Sequence, residues 1–317
     1  MTRSRYLVTG GAGFIGSNLA EALLRQGHAV RVLDDFSTGR RQNLEQVEEW
    51  REAGRGEFEL LEGDIRDRAT CRRAMDGVDF VLHQAAVPSV QRSVLDPLTS
   101  HAVNVDGTLH LLESAREARV RRFVIASSSS VYGESETLPK IESMPPAPIS
   151  PYGLQKLTAE TYSRLYHRLY GLPTVALRYF NVFGPRQDPT SEYSAVIPRF
   201  ITAIRDRRRP TIYGDGEQSR DFTFVANVIQ ANLRSCSAGE SALGKAFNVG
   251  CGERITLNQL LDAIGRIFGR EVHAEYAAPR PGDIRHSLAA IGEAAEHLGF
   301  RPEVGLAEGL AQTVEAY

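Results

Sequence analysis

Thr9-Gly10-Gly11-Ala12-Gly13-Phe14-Ile15-Gly16 decides the reading of this 317-residue chain. The stretch follows the short apolar run Tyr6-Leu7-Val8 and opens a segment, 14–25, of helical periodicity. Gly11, Gly13 and Gly16 match the G-x-G-x-x-G dinucleotide fingerprint, while Gly10, Gly13 and Gly16 match its variant with a wider first spacing. Glycines here permit a tight turn and let a pyrophosphate approach the backbone N–H groups at a helix N-terminus. A structural turn would use the same residues; the strand–turn–helix context favours a cofactor loop. Asp34, eighteen residues beyond Gly16, ends the second apolar run. A carboxylate there accepts hydrogen bonds from the adenosine ribose and repels a 2′-phosphate, which favours NAD over NADP. Arg40 and Arg41 pull the other way, since a nearby arginine welcomes that phosphate. Gly63-Asp64-Ile65 ends the third run, where Asp64 suits an adenine contact or a helix N-cap equally well.

Outward from the loop, apolar runs at 5–9, 29–34, 58–62, 79–83, 122–127 and 174–179 alternate with helical patterns at 14–25, 40–52, 68–75, 103–118 and 152–170. Apolar strands alternating with helices predict an α/β fold, a Rossmann-type doubly wound parallel sheet covered on both faces. After Tyr179 the loops lengthen and turn-rich pieces appear, such as Tyr213-Gly214-Asp215-Gly216. Helical patterns at 196–205, 225–235 and 257–268, with a short strand at 246–249, predict a smaller C-terminal α/β substrate-binding lobe. The expected division is an NAD-binding domain over 1–180, rejoined by segments near 222–250, and a lobe over 181–317. The proline cluster at 145–148 reads as a rigid loop leading to Tyr152. Arg205 and the arginines at 207–209 read as a solvated helix end favoured by the helix dipole.

Composition narrows the field. Hydrophobic residues at 42% and charged residues at 24% are those of a globular chain able to bury a large core. A net charge of −2 gives no reason to expect nucleic acid or an anionic membrane as partner. Cys71, Cys236 and Cys251 have neither metal-ligand spacing nor an even disulfide count, so no metal site is expected. No apolar run is long enough to span a bilayer and no signal region precedes the first strand, so a cytoplasmic location is expected.

Chemistry enters at Pro151-Tyr152-Gly153-Leu154-Gln155-Lys156. Residues four apart share one helix face, which places the Lys156 ammonium near the Tyr152 phenol. A positive charge nearby favours the phenolate, predicting a lowered tyrosine pKa and a base for a sugar or alcohol hydroxyl. Only three of the 37 basic residues are lysines, Lys140, Lys156 and Lys245, so a lysine at 156 is a marked choice. Ser127-Ser128-Ser129-Ser130 ends the preceding strand, at the sheet edge where open α/β folds bind ligands. A hydroxyl there holds a substrate hydroxyl or relays its proton.

Taken together, these motifs resemble the extended short-chain dehydrogenase/reductase superfamily, and closely its NAD-dependent nucleotide-sugar 4-epimerases. The likeness also includes Gly63-Asp64-Ile65-Arg66-Asp67, His83-Gln84-Ala85-Ala86, Asn104, Arg178-Tyr179-Phe180-Asn181-Val182-Phe183-Gly184 and Arg220-Asp221-Phe222, and it runs through essentially the whole chain. It implies that Gly10, Gly13, Phe14, Ile15, Gly16, Asp34, Asp64, Ile65, Gln84, Ala85, Ala86, Asn104, Tyr152, Lys156 and Tyr179 meet NAD. It implies that Tyr152 removes the 4-hydroxyl proton, helped by Ser128, while Lys156 tunes it. Hydride leaves sugar carbon 4, a 4-keto sugar turns over about its diphosphate link, and hydride returns to the other face. On the substrate side it implies contacts from Ser89, Ser128 and Asn181, a sugar-side contact from Gln187, and a uridine pocket at Ala195, Val196 and Tyr213. Arg220 and Arg280 resemble a diphosphate clamp, for which the planar fork of arginine is suited. A homodimer through the helices at 103–118 and 152–170 is implied as well.

The serine run separates relatives. Dehydratases of the superfamily carry an Asp-Glu pair where this chain has Ser129 and Ser130, and UDP-glucuronate decarboxylases a glutamate at the second position. A net reductase exchanging NADPH is disfavoured by Asp34. A non-catalytic NAD-binding sensor would need no Ser128, Tyr152 and Lys156 together. Ser287 aligns with the family's pocket gate, where a small residue leaves room for a 2-acetamido group. UDP-GlcNAc and UDP-GalNAc are therefore expected as substrates beside UDP-Glc and UDP-Gal. A UDP-glucuronate 4-epimerase is the alternative, with Arg186 or Arg285 available to a carboxylate.

Overall fold

The structure, a computed structural model, describes residues 3–54, 56–189, 195–279 and 284–317. Its first part alternates as expected: β1 (Arg5–Thr9), α1 (Phe14–Arg25), β2 (Ala29–Asp34), α2 (Gln42–Glu52), β3 (Glu57–Glu62), α3 (Arg68–Ala74) and β4 (Phe80–His83). Two short helices that the sequence reading missed follow, α4 (Val90–Leu95) and α5 (Pro97–His101). Each is under two turns, too brief for periodicity to register. Their caps were readable, however. Ser89 accepts from Arg92 N (3.2 Å), and Asp96, ahead of Pro97, accepts from Thr99 N (3.0 Å). The expected 103–118 helix begins as a π-helical turn, Ala102–Gly107, before α6 (Thr108–Ala118). Next come β5 (Arg122–Ser128), α7 (Pro151–Tyr170) and β6 (Thr174–Tyr179).

The remaining elements are shorter: β7 (Val182–Phe183), α8 (Val196–Arg205), β8 (Thr211–Tyr213), β9 (Ser219–Arg220), β10 (Thr223–Phe224), α9 (Val225–Ser237) and β11 (Lys245–Val249). Then follow β12 (Ile255–Thr256), α10 (Leu257–Ile267), β13 (Glu275–Ala277), α11 (Gly292–Leu298) and α12 (Leu306–Glu315). Seven strands make one parallel sheet in the order β11-β6-β5-β4-β1-β2-β3, the Rossmann-type arrangement predicted. Three two-stranded sheets, β10-β7, β12-β9 and β13-β8, belong to the later part of the chain.

Alternation along the strands sends side chains to two cores. Val8, Val30, Val32, Leu82 and Val124 pack against Leu19, Leu23, Leu44, Val228 and Leu298, which come from α1, α2, α9 and α11. Leu7, Leu33, Val81, Phe123 and Ile125 pack against Cys71, Leu111, Leu112, Ala159 and Tyr166 from α3, α6 and α7. A third core gathers Ile197, Ile201, Ile212, Leu260 and Leu310 from α8, β8, α10 and α12. Parallel register brings the carboxyl ends level: Thr9 stands opposite His83, and Ser128 opposite Tyr179. Chemistry-bearing residues therefore collect along one edge.

One buried ion pair seats α7 on this sheet. Arg178 on β6 donates from Nε to Glu160 Oε2 (3.0 Å) and from Nη2 to Oε1 (2.6 Å), both side chains almost wholly enclosed. Ser127 also donates to Glu160 Oε2 (2.7 Å), and Arg178 Nη1 donates to the Tyr132 hydroxyl (2.8 Å). A two-pronged pair with its remaining valences filled fixes rotation as well as position. Arg178→Met should lower unfolding stability by about 3–5 kcal/mol in urea titrations, because Glu160 is left charged and buried. Replacing both partners, Arg178→Met with Glu160→Leu, should cost less than the single change.

Candidate active site

The strand ends open onto a cleft of about 510 Å³. Its floor is the β1–α1 turn. A Cβ on Gly16 would lie 2.1 Å from the Gly10 carbonyl oxygen, and one on Gly10 2.7 Å from Ala85 N, so neither position tolerates a side chain. Gly13 is the N-cap of α1 and supplies no capping side chain, which leaves the first helical N–H groups for an anion. Gly10, Gly13, Phe14, Ile15 and Gly16 line the cleft, together with Asp34, Asp64, Ile65, Gln84, Ala85, Ala86, Tyr152, Lys156 and Tyr179. The bare glycine cradle beneath a helix N-terminus, with a carboxylate at one end, fits a dinucleotide such as NAD.

Asp34 is held by the loop it faces. Its Oδ2 accepts from Ala12 N (2.9 Å) and its Oδ1 from Phe36 N (2.8 Å). Burial pushes its pKa up, and the two backbone N–H groups counter that push. Asp64 lines the cleft but does not cap α3: it accepts from Arg66 N (2.8 Å) and pairs with the Arg66 guanidinium, which holds its carboxyl below the usual range. The N-cap of α3 is instead Asp67, which accepts from Ala69 N and Thr70 N. Of the two sequence options for Asp64, the capping one falls to Asp67.

Asn104 is not among the cleft-lining residues. It is buried in the π-helical turn, where Oδ1 accepts from Val87 N (2.8 Å) and Nδ2 donates to Gln155 Oε1 (2.8 Å). It therefore fixes the wall Ala85–Ala86–Val87 from behind. Gln84 and Tyr179 share a network with Asn232: the Tyr179 hydroxyl donates to Gln84 Oε1 (3.2 Å) and accepts from Asn232 Nδ2 (2.8 Å). Sequence reasoning did not find Asn232, nor the chain through His83. Thr108 Oγ1 donates to the Asn104 carbonyl (2.8 Å), so His83 Nε2 must donate to Thr108 (2.9 Å). His83 Nδ1 then accepts from Thr9 Oγ1 (2.7 Å), whose oxygen accepts from Ala85 N (3.3 Å). Burial, aided by the charge of Lys156, pushes His83 down to about 3, so this relay is neutral and structural. A histidine ending an apolar strand was its visible signal.

At the chemical end Ser150 caps α7 by accepting from Gly153 N (3.1 Å), and Ser93 accepts from Tyr152 N (3.0 Å). Lys156 Nζ donates to the Ala126 carbonyl (2.9 Å) and stands 5.9 Å from the Tyr152 ring centre. Ser128 does not line the cleft; Ser127 does. The Ser128 hydroxyl instead accepts from Ser130 N (3.1 Å) and donates to Ser130 Oγ (3.0 Å), near enough to Tyr152 to act on its pKa. The electrostatics correct the expectation of an acidified tyrosine. Burial raises the Tyr152 pKa, and Ser128 lowers it only in part. Burial also brings Lys156 down from 10.5 to about 8, for the same reason: the enclosed site disfavours any charge.

The expected substrate contacts divide. Ser89, Gln187 and Ala195 line the cleft, with Arg92, Arg186 and Asp188. Gln187 Nε2 donates to the Val182 carbonyl (3.2 Å). Asn181, Val196, Tyr213, Arg220 and Ser287 do not line it. Asn181 Nδ2 donates to the Asp221 carbonyl (3.2 Å), and Arg199 lies over the Tyr213 ring at 5.8 Å. Arg220 Nη1 donates to the carbonyls of Ser219 and Arg285, and Ser287, buried, donates from its N–H to the Ser219 carbonyl (3.0 Å). Arg280 lies outside the described residues.

Fold and cleft define a Rossmann-type enzyme that works with a dinucleotide. The sequence pattern of the NAD dependent epimerase/dehydratase family matches residues 6–250, and the chain belongs to that family. Its cofactor is NAD. It is 42% identical to the UDP-glucose 4-epimerase of Mycolicibacterium smegmatis, over 99% of this chain and 98% of the relative. Among solved structures it is similar to the UDP-N-acetylglucosamine 4-epimerase of Methanobrevibacter ruminantium in complex with UDP-N-acetylmuramic acid (TM-score 0.92, 39% identity, 100% and 98% of the two chains). It is also similar to the UDP-glucose 4-epimerase of Thermotoga maritima with UDP-glucose (TM-score 0.91, 37% identity, 98% of each chain).

A lysine whose folded pKa lies below its unfolded value costs stability at neutral pH. That cost fades as pH rises from about 8 toward 10.5, where the unfolded chain also loses its proton. Without nucleotide, Lys156→Met should therefore be more stable than wild type at pH 7, by roughly 1–3 kcal/mol, and inactive. The stability gap, read from denaturant titrations at several pH values, should narrow above pH 8.

Proposed function

We propose that this protein is an NAD-dependent UDP-hexose 4-epimerase acting on UDP-Glc/UDP-Gal and on UDP-GlcNAc/UDP-GalNAc. The observation that carries the reading is the Tyr152 phenol at the edge of a dinucleotide cleft, with buried Lys156 Nζ 5.9 Å from its ring centre. Tyr152 Oη takes the proton of the sugar 4-hydroxyl and later returns it. Ser128 Oγ orients Tyr152 Oη, and Lys156 Nζ, held by the Ala126 carbonyl, carries the charge that compensates a phenolate. NAD, when bound, supplies reversible hydride transfer at sugar carbon 4 and a fixed positive charge that favours the phenolate. The glycine cradle and α1 N-terminus would hold its pyrophosphate and Asp34 its adenosine ribose, against the Ala85–Ala86–Val87 wall. Ser129 and Ser130 form a short 3₁₀ turn with no carboxylate, so the acid and base needed for water loss are missing there.

We assign substrate contacts to Ser89, Gln187 and Ala195 in the cleft, and to Asn181, Val196, Tyr213, Arg220, Arg280 and Ser287 in a lobe over 181–317. Small Ser287 is what admits the 2-acetamido group. A cytoplasmic location fits the three free thiols; among the described residues no helix is long and apolar enough to cross a membrane. Epimerisation of both sugar pairs, followed by chromatography of the UDP-sugars, tests the activity. Tyr152→Phe should keep NAD bound while turnover falls at least about 100-fold, the lower range for losing an acid–base group. Ser287→Tyr should remove the acetylated pair alone. Turnover of UDP-glucuronate instead would favour the uronate reading, with Arg186 or Arg285 meeting the carboxylate.

A homodimer belongs to the same proposal. Leu98 (82% exposed), Leu95 (74%), Val94, Leu154, Leu169 and Tyr170 leave a broad apolar face on α4, α5 and α7. A second copy would cover it, pairing α6 and α7 helices across a bundle. Light scattering should give twice the chain mass, and Leu98→Arg with Leu169→Arg should give monomers; a monomeric wild type would sink the idea.

A further inference from the structure

We propose that Asp188 is a cofactor-selectivity residue: by holding Arg40, it denies the adenosine-ribose end of the cleft the cation that a 2′-phosphate requires. The inference rests on reading the cleft as the dinucleotide site.

Arg40 stands where a phosphate-binding arginine would. The preceding residue, Gly39, packs on Asp34 so closely that a Cβ there would lie 2.7 Å from Asp34 Oδ1. Arg40 N donates to the Ala12 carbonyl (2.9 Å), and Ala12 N donates to Asp34 Oδ2 (2.9 Å), so the three segments form one packed unit. In folds of this class an arginine beside the ribose carboxylate is what accommodates NADP. Here the guanidinium turns across the cleft: Arg40 Nη2 lies 2.5 Å from Asp188 Oδ1. Arg41 is engaged too, with Glu62 Oε2 at 2.5 Å and its guanidinium over the Phe36 ring at 4.2 Å.

Asp188 is well placed to do this because its segment is tied down on both sides. Asn18 of α1 donates to the Pro185 carbonyl (3.1 Å), and Arg186 bonds Glu21 of α1 and Gln46 of α2. From the other side the Tyr317 hydroxyl donates to the Gln187 carbonyl. The segment is thus a crossbar between the two walls, with Asp188 facing Arg40. A 2′-phosphate would have to displace that carboxylate while standing near Asp34 and Asp35, which line the same end. Like charges at that range repel, and Arg40 is already neutralised. Selection of NAD then rests on two carboxylates, one in the fingerprint region and one far downstream.

The test reads bound nucleotide rather than turnover. Purified protein is equilibrated with equimolar NAD and NADP and desalted, and the extracted nucleotides are quantified by chromatography. Asp188→Asn should raise the bound NADP:NAD ratio about fivefold, the scale of one half-exposed ion pair. Asp188→Asn with Arg40→Ala should return it to the wild-type value, because the freed guanidinium is what takes the phosphate. The same rise should add to that of Asp34→Asn in a double variant. A ratio unmoved by Asp188→Asn, or a rise that survives loss of Arg40, overturns the proposal. A wild-type protein that retains neither nucleotide overturns the reading of the cleft itself.

Discussion

Arg178 and Glu160 meet through two parallel hydrogen bonds in a place water does not reach, and the geometry of the site hangs on that fork. Tyr152, Lys156 and Glu160 follow one another at four-residue spacing, so they share one face of α7. A slip of one residue would swing that face by about 100° and take the phenol away from the strand ends. Apolar packing resists such a slip weakly, because leucines and alanines accept many rotations. A planar, directional ion pair accepts one. Through it the helix is locked to β5 and β6, and the phenol keeps its place at the strand ends.

The resting site is electrostatically uncomfortable. Lys156 gives up proton affinity, Tyr152 resists ionising, and His83 is neutral, all because burial penalises charge. Such strain is what a fold tolerates only where its surroundings are strong enough to hold the groups in place. Here the surroundings are the satisfied networks behind the cleft: Thr9–His83–Thr108, Gln84–Tyr179–Asn232, and Asn104 with Gln155. They contribute no chemistry, yet they fix the walls against which chemistry takes place.

Much of this was legible in the chain. Parallel strands buried on both faces read as apolar runs, so β1, β2, β4, β5 and β6 emerged nearly residue for residue. The edge strand β3, half-exposed, showed as alternating Glu and apolar residues. The glycine loop and Asp34 were legible because backbone conformation and ribose recognition each demand a particular residue type. The short helices α4 and α5 escaped, being too brief to show a period. Asp64 suits an N-cap as read from the sequence, but Asp67 is the residue directly before the helix, and its bonds to Ala69 and Thr70 make it the cap. Asn104 matched a motif but serves the wall from behind, which no linear pattern reveals.

By itself the amino-acid sequence determined the fold class, the place of the cofactor loop and the spacing of tyrosine and lysine, because these follow from local periodicity and single-residue chemistry. It misjudged the sign of the tyrosine shift. A lysine four residues away acts over one helical turn, whereas desolvation depends on everything packed around the ring. Only the tertiary structure decided that balance, and only it brought Asp188 across the cleft to Arg40, some 150 positions earlier. The Tyr152–Lys156 pair was written in one turn of helix; what it can do is set by charges and walls that arrive from distant parts of the chain.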